Sequence, residues 1–186
     1  MKKIIICISA VLLLNTGSYA QETSFGIKAG ANLANLTGDV EDTKMLFGAY
    51  GGAFAHIGIS ETFGIQPEVL FSMEGAKSSG EDLALSYINI PVMLKYSNPS
   101  GFFAELGPQI GILTSAKLKL DGGSVDFKDY LKSTNFVLGI GAGYNVTPQI
   151  GVGARYNLGL SNISDDSEGE LKTSVISFGL HYNFGK

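Results

Sequence analysis

The chain has 186 residues, with 17 acidic against 13 basic side chains, a formal net charge of −4 and one cysteine. That balance excludes a protein that grips a nucleic-acid backbone, and a single cysteine excludes a disulfide framework. Glycine occupies 25 positions, near twice the usual share. A soluble helical protein does not tolerate so much of it, whereas a sheet with crowded or curved strands does.

The first segment is read as a secretory signal peptide over residues 1–20. Lys2 and Lys3 supply the charged start, residues 4–14 the apolar stretch, and Ser18-Tyr19-Ala20 a small-residue cleavage site before Gln21. The apolar stretch is too short to span a bilayer. Cys7 lies inside it with no lipobox around it, so residues 21–186 form the expected mature domain without a cysteine. Losing Lys2 and Lys3 makes that domain more acidic still.

Past Ala20 no run reaches 18 consecutive apolar residues, so no transmembrane helix is expected. The spacing instead predicts eight strands, near 24–33, 46–59, 63–75, 84–96, 102–118, 134–144, 149–158 and 174–184. The first puts Phe25, Ile27, Ala29, Ala31 and Leu33 on one side. In the second both faces are mostly apolar or glycine, with Tyr50 and His56 assigned inward. The third aligns Phe63, Ile65, Pro67, Val69, Phe71 and Met73; the fourth Ile88, Ile90, Val92, Leu94 and Tyr96. In the fifth, "GFFAELGPQIGIL", Phe102, Ala104, Leu106, Pro108, Ile110 and Ile112 oppose Phe103, Glu105, Gly107, Gln109 and Gly111. The last three carry Phe136 to Tyr144, Ile150 to Leu158 and Ile176 to Phe184 in the same alternation.

The connections alternate as well. Segments 34–45, 76–83, 119–133 and 159–173 are expected to be long polar loops, and 60–62, 97–101 and 145–148 tight turns, of which "SNPSG" and "NVTP" carry Pro, Gly and Asn. Loops and turns in that order mark an outer-membrane barrel with turns toward the periplasm and loops outside. In lipid every backbone polar group must be paired within the protein, and a closed barrel achieves this with its apolar face outward. Glu105 and Gln109 then point into a lumen which, for eight strands, side chains just fill. A lipocalin-like barrel is the soluble alternative, but it would show water a dense set of Lys and Glu rather than this glycine-rich face. The expected fold is therefore all-β: an eight-stranded antiparallel up-and-down transmembrane barrel.

The stretches "FGIKAGANLANL", "IQPEVLFSMEG", "YINIPVMLKY", "GFFAELGPQIGIL" and "GVGARYNLGLSNI" together resemble the PorT-like outer-membrane β-barrel family of Bacteroidetes-type bacteria. The resemblance spans essentially the whole mature chain and implies a small barrel in the outer membrane, with secretion accessory among the roles known in that family. Many such barrels end on an aromatic residue. This chain ends Tyr182-Asn183-Phe184-Gly185-Lys186.

Catalytic chemistry has little to stand on. There are two histidines, His56 and His181, and no nucleophile elbow. Ser177 beside His181 is the one Ser–His candidate, and it lacks an orienting acid. The units "GIGAGY" and "GVGA" do not complete a phosphate-binding loop. Asp165, Asp166, Glu168 and Glu170 lack calcium-loop spacing and read as a solvated loop. The segment "KLKLDGGSVDFKDYLK" either extends a hairpin above the membrane or folds over the barrel mouth.

Five interior residues, Lys28, Glu68, Glu105, Arg155 and His181, fall in one layer counted from the turn end. Arg155 is the only arginine of the chain. Charges so placed survive when paired, so a salt-bridged plug is expected, with a gated ion or proton path as the functional alternative. No cofactor, metal or nucleic acid is expected. The expected partners are outer-membrane lipid and, through the long loops, envelope or secretion proteins. The expected role is structural, surface-interactive or secretion-accessory rather than enzymatic; the alternatives are a narrow passive channel or a lipid-modifying enzyme.

Overall fold

The computed structural model describes residues 23–39, 43–78, 81–120, 123–165 and 169–185. The expected signal peptide over 1–20 lies outside the described residues, as do Asp166 and Glu168. Among the described residues nine strands run in chain order: β1 Thr23–Gly38, β2 Lys44–Gly58, β3 Phe63–Ser78, β4 Glu81–Ser97, β5 Phe102–Leu120, β6 Gly123–Asp126, β7 Thr134–Asn145, β8 Ile150–Gly159 and β9 Leu171–Asn183. A 3-10 turn covers Lys128–Tyr130. Eight of the strands pair antiparallel with their chain neighbours, β5 with β7, and β9 returns to β1, closing an eight-stranded barrel. The short β6 pairs only with the far end of β5.

The facing follows from the alternation. Val69 is 57% exposed and Leu180 59%, whereas Gln66 is 1% exposed and Glu68 2%. In β2, Tyr50 and His56 pack inward against Gly30 and Gly64, and Phe54 joins them there. Met45 and Phe47 remain outside. At the turn end the outward residues are aromatic. Phe63 lies 5.3 Å from Tyr96, Tyr182 5.5 Å from Phe184, and Phe102 pairs with Tyr144. An aromatic girdle at one rim is what a bilayer interface selects.

The three tight turns are closed by local side chains. Ser60 Oγ accepts from the backbone N–H of Phe63, Asn98 Oδ1 from that of Ser100, and Thr147 Oγ1 from that of Ile150. Gly101 sits at φ 98°, where a side chain would be strained, and an added Cβ would lie 2.8 Å from the carbonyl oxygen of Asn145.

At the opposite end the loops are shorter than the sequence spacing predicts. The segments 34–45 and 76–83 are largely strand: β1 stays in register with β9 up to Gly38 opposite Leu171, and β3 with β4 up to Ser78 opposite Glu81. Continuing the ladder satisfies backbone groups that a polar loop would leave to water. Lys, Glu and Ser there obscure the strand pattern without opposing the pairing. Only the connections after β5 and β8 remain long.

One row of inward positions explains much of the glycine. Gly143, Gly153, Gly179 and Gly30 are consecutive register partners across β7, β8, β9 and β1. The Phe103 ring lies against the first two and the Tyr50 ring against the last two. A Cβ at Gly179 would stand 2.3 Å from the Tyr50 hydroxyl. The bare backbone makes room for large side chains from the strands that flank the row, Phe103 of β5 and Tyr50 of β2.

Candidate functional site

The lumen is filled in four levels. Nearest the turns lies an aromatic plate. His181 is edge-on to Phe103 at 5.5 Å and to Phe54 at 6.1 Å between ring centroids, and its Nε2 is 3.0 Å from Asn145 Oδ1.

Above the plate is a charged layer. Arg155 on β8 donates from Nη1 and Nη2 to the two oxygens of Glu68 on β3, at 2.9 and 2.8 Å. Its Nε donates to Glu105 Oε1 at 2.7 Å. Lys28 donates to Glu68 Oε1 at 2.9 Å, and Gln66 Nε2 to the same oxygen at 2.7 Å. The planar guanidinium suits a carboxylate on either side, and each carboxylate is buried with its counter-charges in contact. Lys95 completes the layer. Its Nζ donates to Gln66 Oε1 at 3.3 Å and stands 4.2 Å over the Phe103 ring, whose negative face suits a cation.

The structure thus joins Lys28, Glu68, Glu105 and Arg155 through direct contacts. His181 is opposite Lys28 in register, but its ring contacts are aromatic and its hydrogen bond goes to Asn145. Lys95 and Gln66, inward-facing by their spacing, belong to the layer although the five residues expected there did not include them. Their signal was present: Lys95 is the register partner of Glu105, and Gln66 is two residues before Glu68 on the same face.

A ladder of amides and hydroxyls forms the third level. Asn157 Nδ2 donates to Ser177 Oγ at 3.1 Å, Ser177 Oγ to Asn32 Oδ1 at 2.8 Å, and Asn32 Nδ2 to Ser72 Oγ at 2.9 Å. Asn89 Nδ2 donates to Glu74 Oε1 at 2.9 Å. Ser177 is therefore engaged with Asn32 and Asn157 rather than with His181, which leaves the Ser–His pair unformed.

The fourth level is apolar. Leu36, Leu85, Tyr87, Leu113 and Ala116 line the loop end of the barrel, and Leu131 and Ile163 descend onto them from the two long connections. Ile163 is fully buried. Backbone bonds tie the two connections together: Lys132 N–H to the Ile163 carbonyl at 2.8 Å and Asp165 N–H to the Tyr130 carbonyl at 3.1 Å. Asn162 Oδ1 accepts from the N–H groups of Ser164 and Leu171. The segment after β5 does both things its sequence allows. Its first part pairs as β5–β6 above the barrel, and its second folds over the mouth. Leu131 and Ile163 were legible only as lone apolar residues in polar loops.

Outside this cap, Tyr130 is 65% exposed and stacks on Phe127 at 4.9 Å, with Val125 exposed nearby in sequence. Among the described residues no group of acidic or histidine side chains is arranged to hold a metal ion. Glu170 pairs with Lys172 at 2.5 Å, and Asp39 Oδ2 accepts from the Glu170 N–H at 2.7 Å.

A family model described as the outer membrane protein beta-barrel domain matches residues 6–184. The chain belongs to that family. Its place is accordingly the outer membrane. Among solved structures it is similar to Neisserial surface protein A, at 20% identity over 88% of this chain and 100% of that one, with a TM-score of 0.62. It is also similar to Ail, the attachment invasion locus protein of Yersinia pestis, at 19% identity over 88% of this chain and 99% of that one, with a TM-score of 0.52. At such identities the likeness speaks for the barrel fold alone. Comparison with curated proteins returns no significant match.

Proposed function

We propose that this family member is a non-conducting surface barrel whose loop end engages envelope or extracellular partners. The observation that carries this reading is the insertion of Leu131 and Ile163, from two separate connections, into the barrel mouth. A passive channel needs a continuous wet path, and an apolar cap above a salt-bridged layer opposes one. With the lumen closed, the exposed working surface is the outer side of the cap, where Phe127, Tyr130 and the β5–β6 hairpin lie. Its orientation follows the usual rule of short turns in the periplasm and loops outside. The PorT-like motifs favour an accessory role beside other envelope proteins.

Reconstitution of the purified chain in planar bilayers tests the reading. No discrete conductance steps are expected from the intact protein. Reproducible steps from it would replace the reading with that of a narrow channel. A mass change in outer-membrane lipid upon expression would replace it with that of a lipid-modifying enzyme.

A further inference from the structure

A chamber of about 30 Å³ reaches from the aromatic plate through the charged layer to the amide ladder, lined by Phe103 and His181, by Lys28 and Glu105, and by Asn157 and Ser177. Two buried oxygens on these residues, Glu105 Oε2 and Asn157 Oδ1, have no hydrogen-bond partner among the described residues. The case of Glu105 is the sharper. Its carboxylate is 6% exposed, and the bonds from Arg155 fall on its other oxygen. A buried carboxylate oxygen without a donor carries its full desolvation cost, which native proteins rarely leave unanswered.

Both of these oxygens are acceptors, so the occupant of the chamber must donate. A small cation and water are the candidates. The charged layer already holds three cations, Lys28, Lys95 and Arg155, against the carboxylates of Glu68 and Glu105. A further positive charge would meet that surplus at short range in a medium of low dielectric constant, where repulsion is strong. A neutral donor meets no such opposition. One buried water needs about 10–15 Å³ of such space, so the chamber has the capacity for about two.

We propose that a pair of water molecules occupies this chamber, one donating to Glu105 Oε2 and the other to Asn157 Oδ1. The pair joins the two polar levels into one network. It runs from Lys28 through Glu68, Arg155 and Glu105 to the waters, and on through Asn157, Ser177 and Asn32 to Ser72. The network ends beneath the apolar cap formed by Leu36, Tyr87, Leu131 and Ile163. It is a blind well of hydrogen bonds, and this assignment goes beyond the function proposed for the loops.

A high-resolution crystal structure of the wild-type barrel in detergent tests it directly. The expected result is two density peaks in the chamber, each about 2.5–3.0 Å from its acceptor. Density-free space would overturn the proposal, as would Lys95 Nζ bonded directly to Glu105 Oε2 or an anomalous signal from a metal ion. Asn157→Leu gives a second reading, since it removes one acceptor and fills part of the space. The peak beside residue 157 should then vanish while the Arg155–Glu68 fork and the peak on Glu105 persist. Survival of both peaks would overturn the assignment of Asn157. Independently, magnetisation transfer from water to the Asn157 side-chain amide should appear in micelles of the wild-type protein, and its absence would count against the pair.

Discussion

Arg155 and Glu68 face each other from opposite walls of the barrel, β8 and β3, and meet in a two-bond fork of 2.8 and 2.9 Å. The pair spans the lumen, so it ties two strands that share no backbone hydrogen bond. Removing one member of a buried pair leaves an uncompensated charge and costs about 3–5 kcal/mol. Arg155→Met should lower the temperature at which the folded band converts in detergent electrophoresis. Adding Glu68→Gln and Glu105→Gln should recover part of the loss, because the orphaned carboxylates are then neutral. An unchanged conversion temperature in the single variant would remove the pair from the account of stability.

Adjacent residues on β3 separate the lipid face from the lumen. Val69 is 57% exposed and Leu70 5%. Val69→Arg should cost about 2–4 kcal/mol if the site lies near the bilayer midplane, measured as lost folding yield into lipid vesicles. Spin labels at 67, 69 and 71 should respond to lipid-borne quenchers. A response to water-borne quenchers alone would contradict the membrane-facing assignment.

Two glycines of the same inward row should differ in tolerance. An added Cβ at Gly179 meets the Ala29 carbonyl at 2.5 Å and the Tyr50 hydroxyl at 2.3 Å; at Gly153 the nearest atom is Phe103 Cζ at 3.1 Å. Gly179→Ala should therefore destabilise by about 1–3 kcal/mol through overpacking, and Gly153→Ala by clearly less. Equal heat resistance of the two variants would show that the wall yields more readily than these distances imply.

The cap should come apart without the barrel. Ile163→Asp places a charge in the apolar cluster of Leu36, Leu85 and Leu131, where its desolvation is costly. External protease should then cut within 123–133 or 160–170 faster than in the wild type, while the heat resistance of the core below changes little. Whole-cell digestion should reach these connections and spare 59–62 and 146–149. Cutting at the turns with the loops protected would invert the orientation.

Period-two alternation over eight segments was enough to determine the barrel, its facing and the position of the tight turns. Lipid demands one unbroken apolar face, and that demand writes itself residue by residue along each strand. It also exposed Lys28, Glu68, Glu105 and Arg155, since a charge on the inward face of a narrow barrel is conspicuous in one dimension. Which of them touch was another matter. Arg155 finds Glu68 only because closure through β9 and β1 sets β8 opposite β3, a relation between strands 87 residues apart at the contact. His181 shares the register position of Lys28 yet turns to Asn145, because the rings of Phe54 and Phe103 flank it there. The cap was the least legible part. Leu131 and Ile163 carry no periodic signal, and only the folding of two connections over one mouth gives their apolar side chains a common place to be buried.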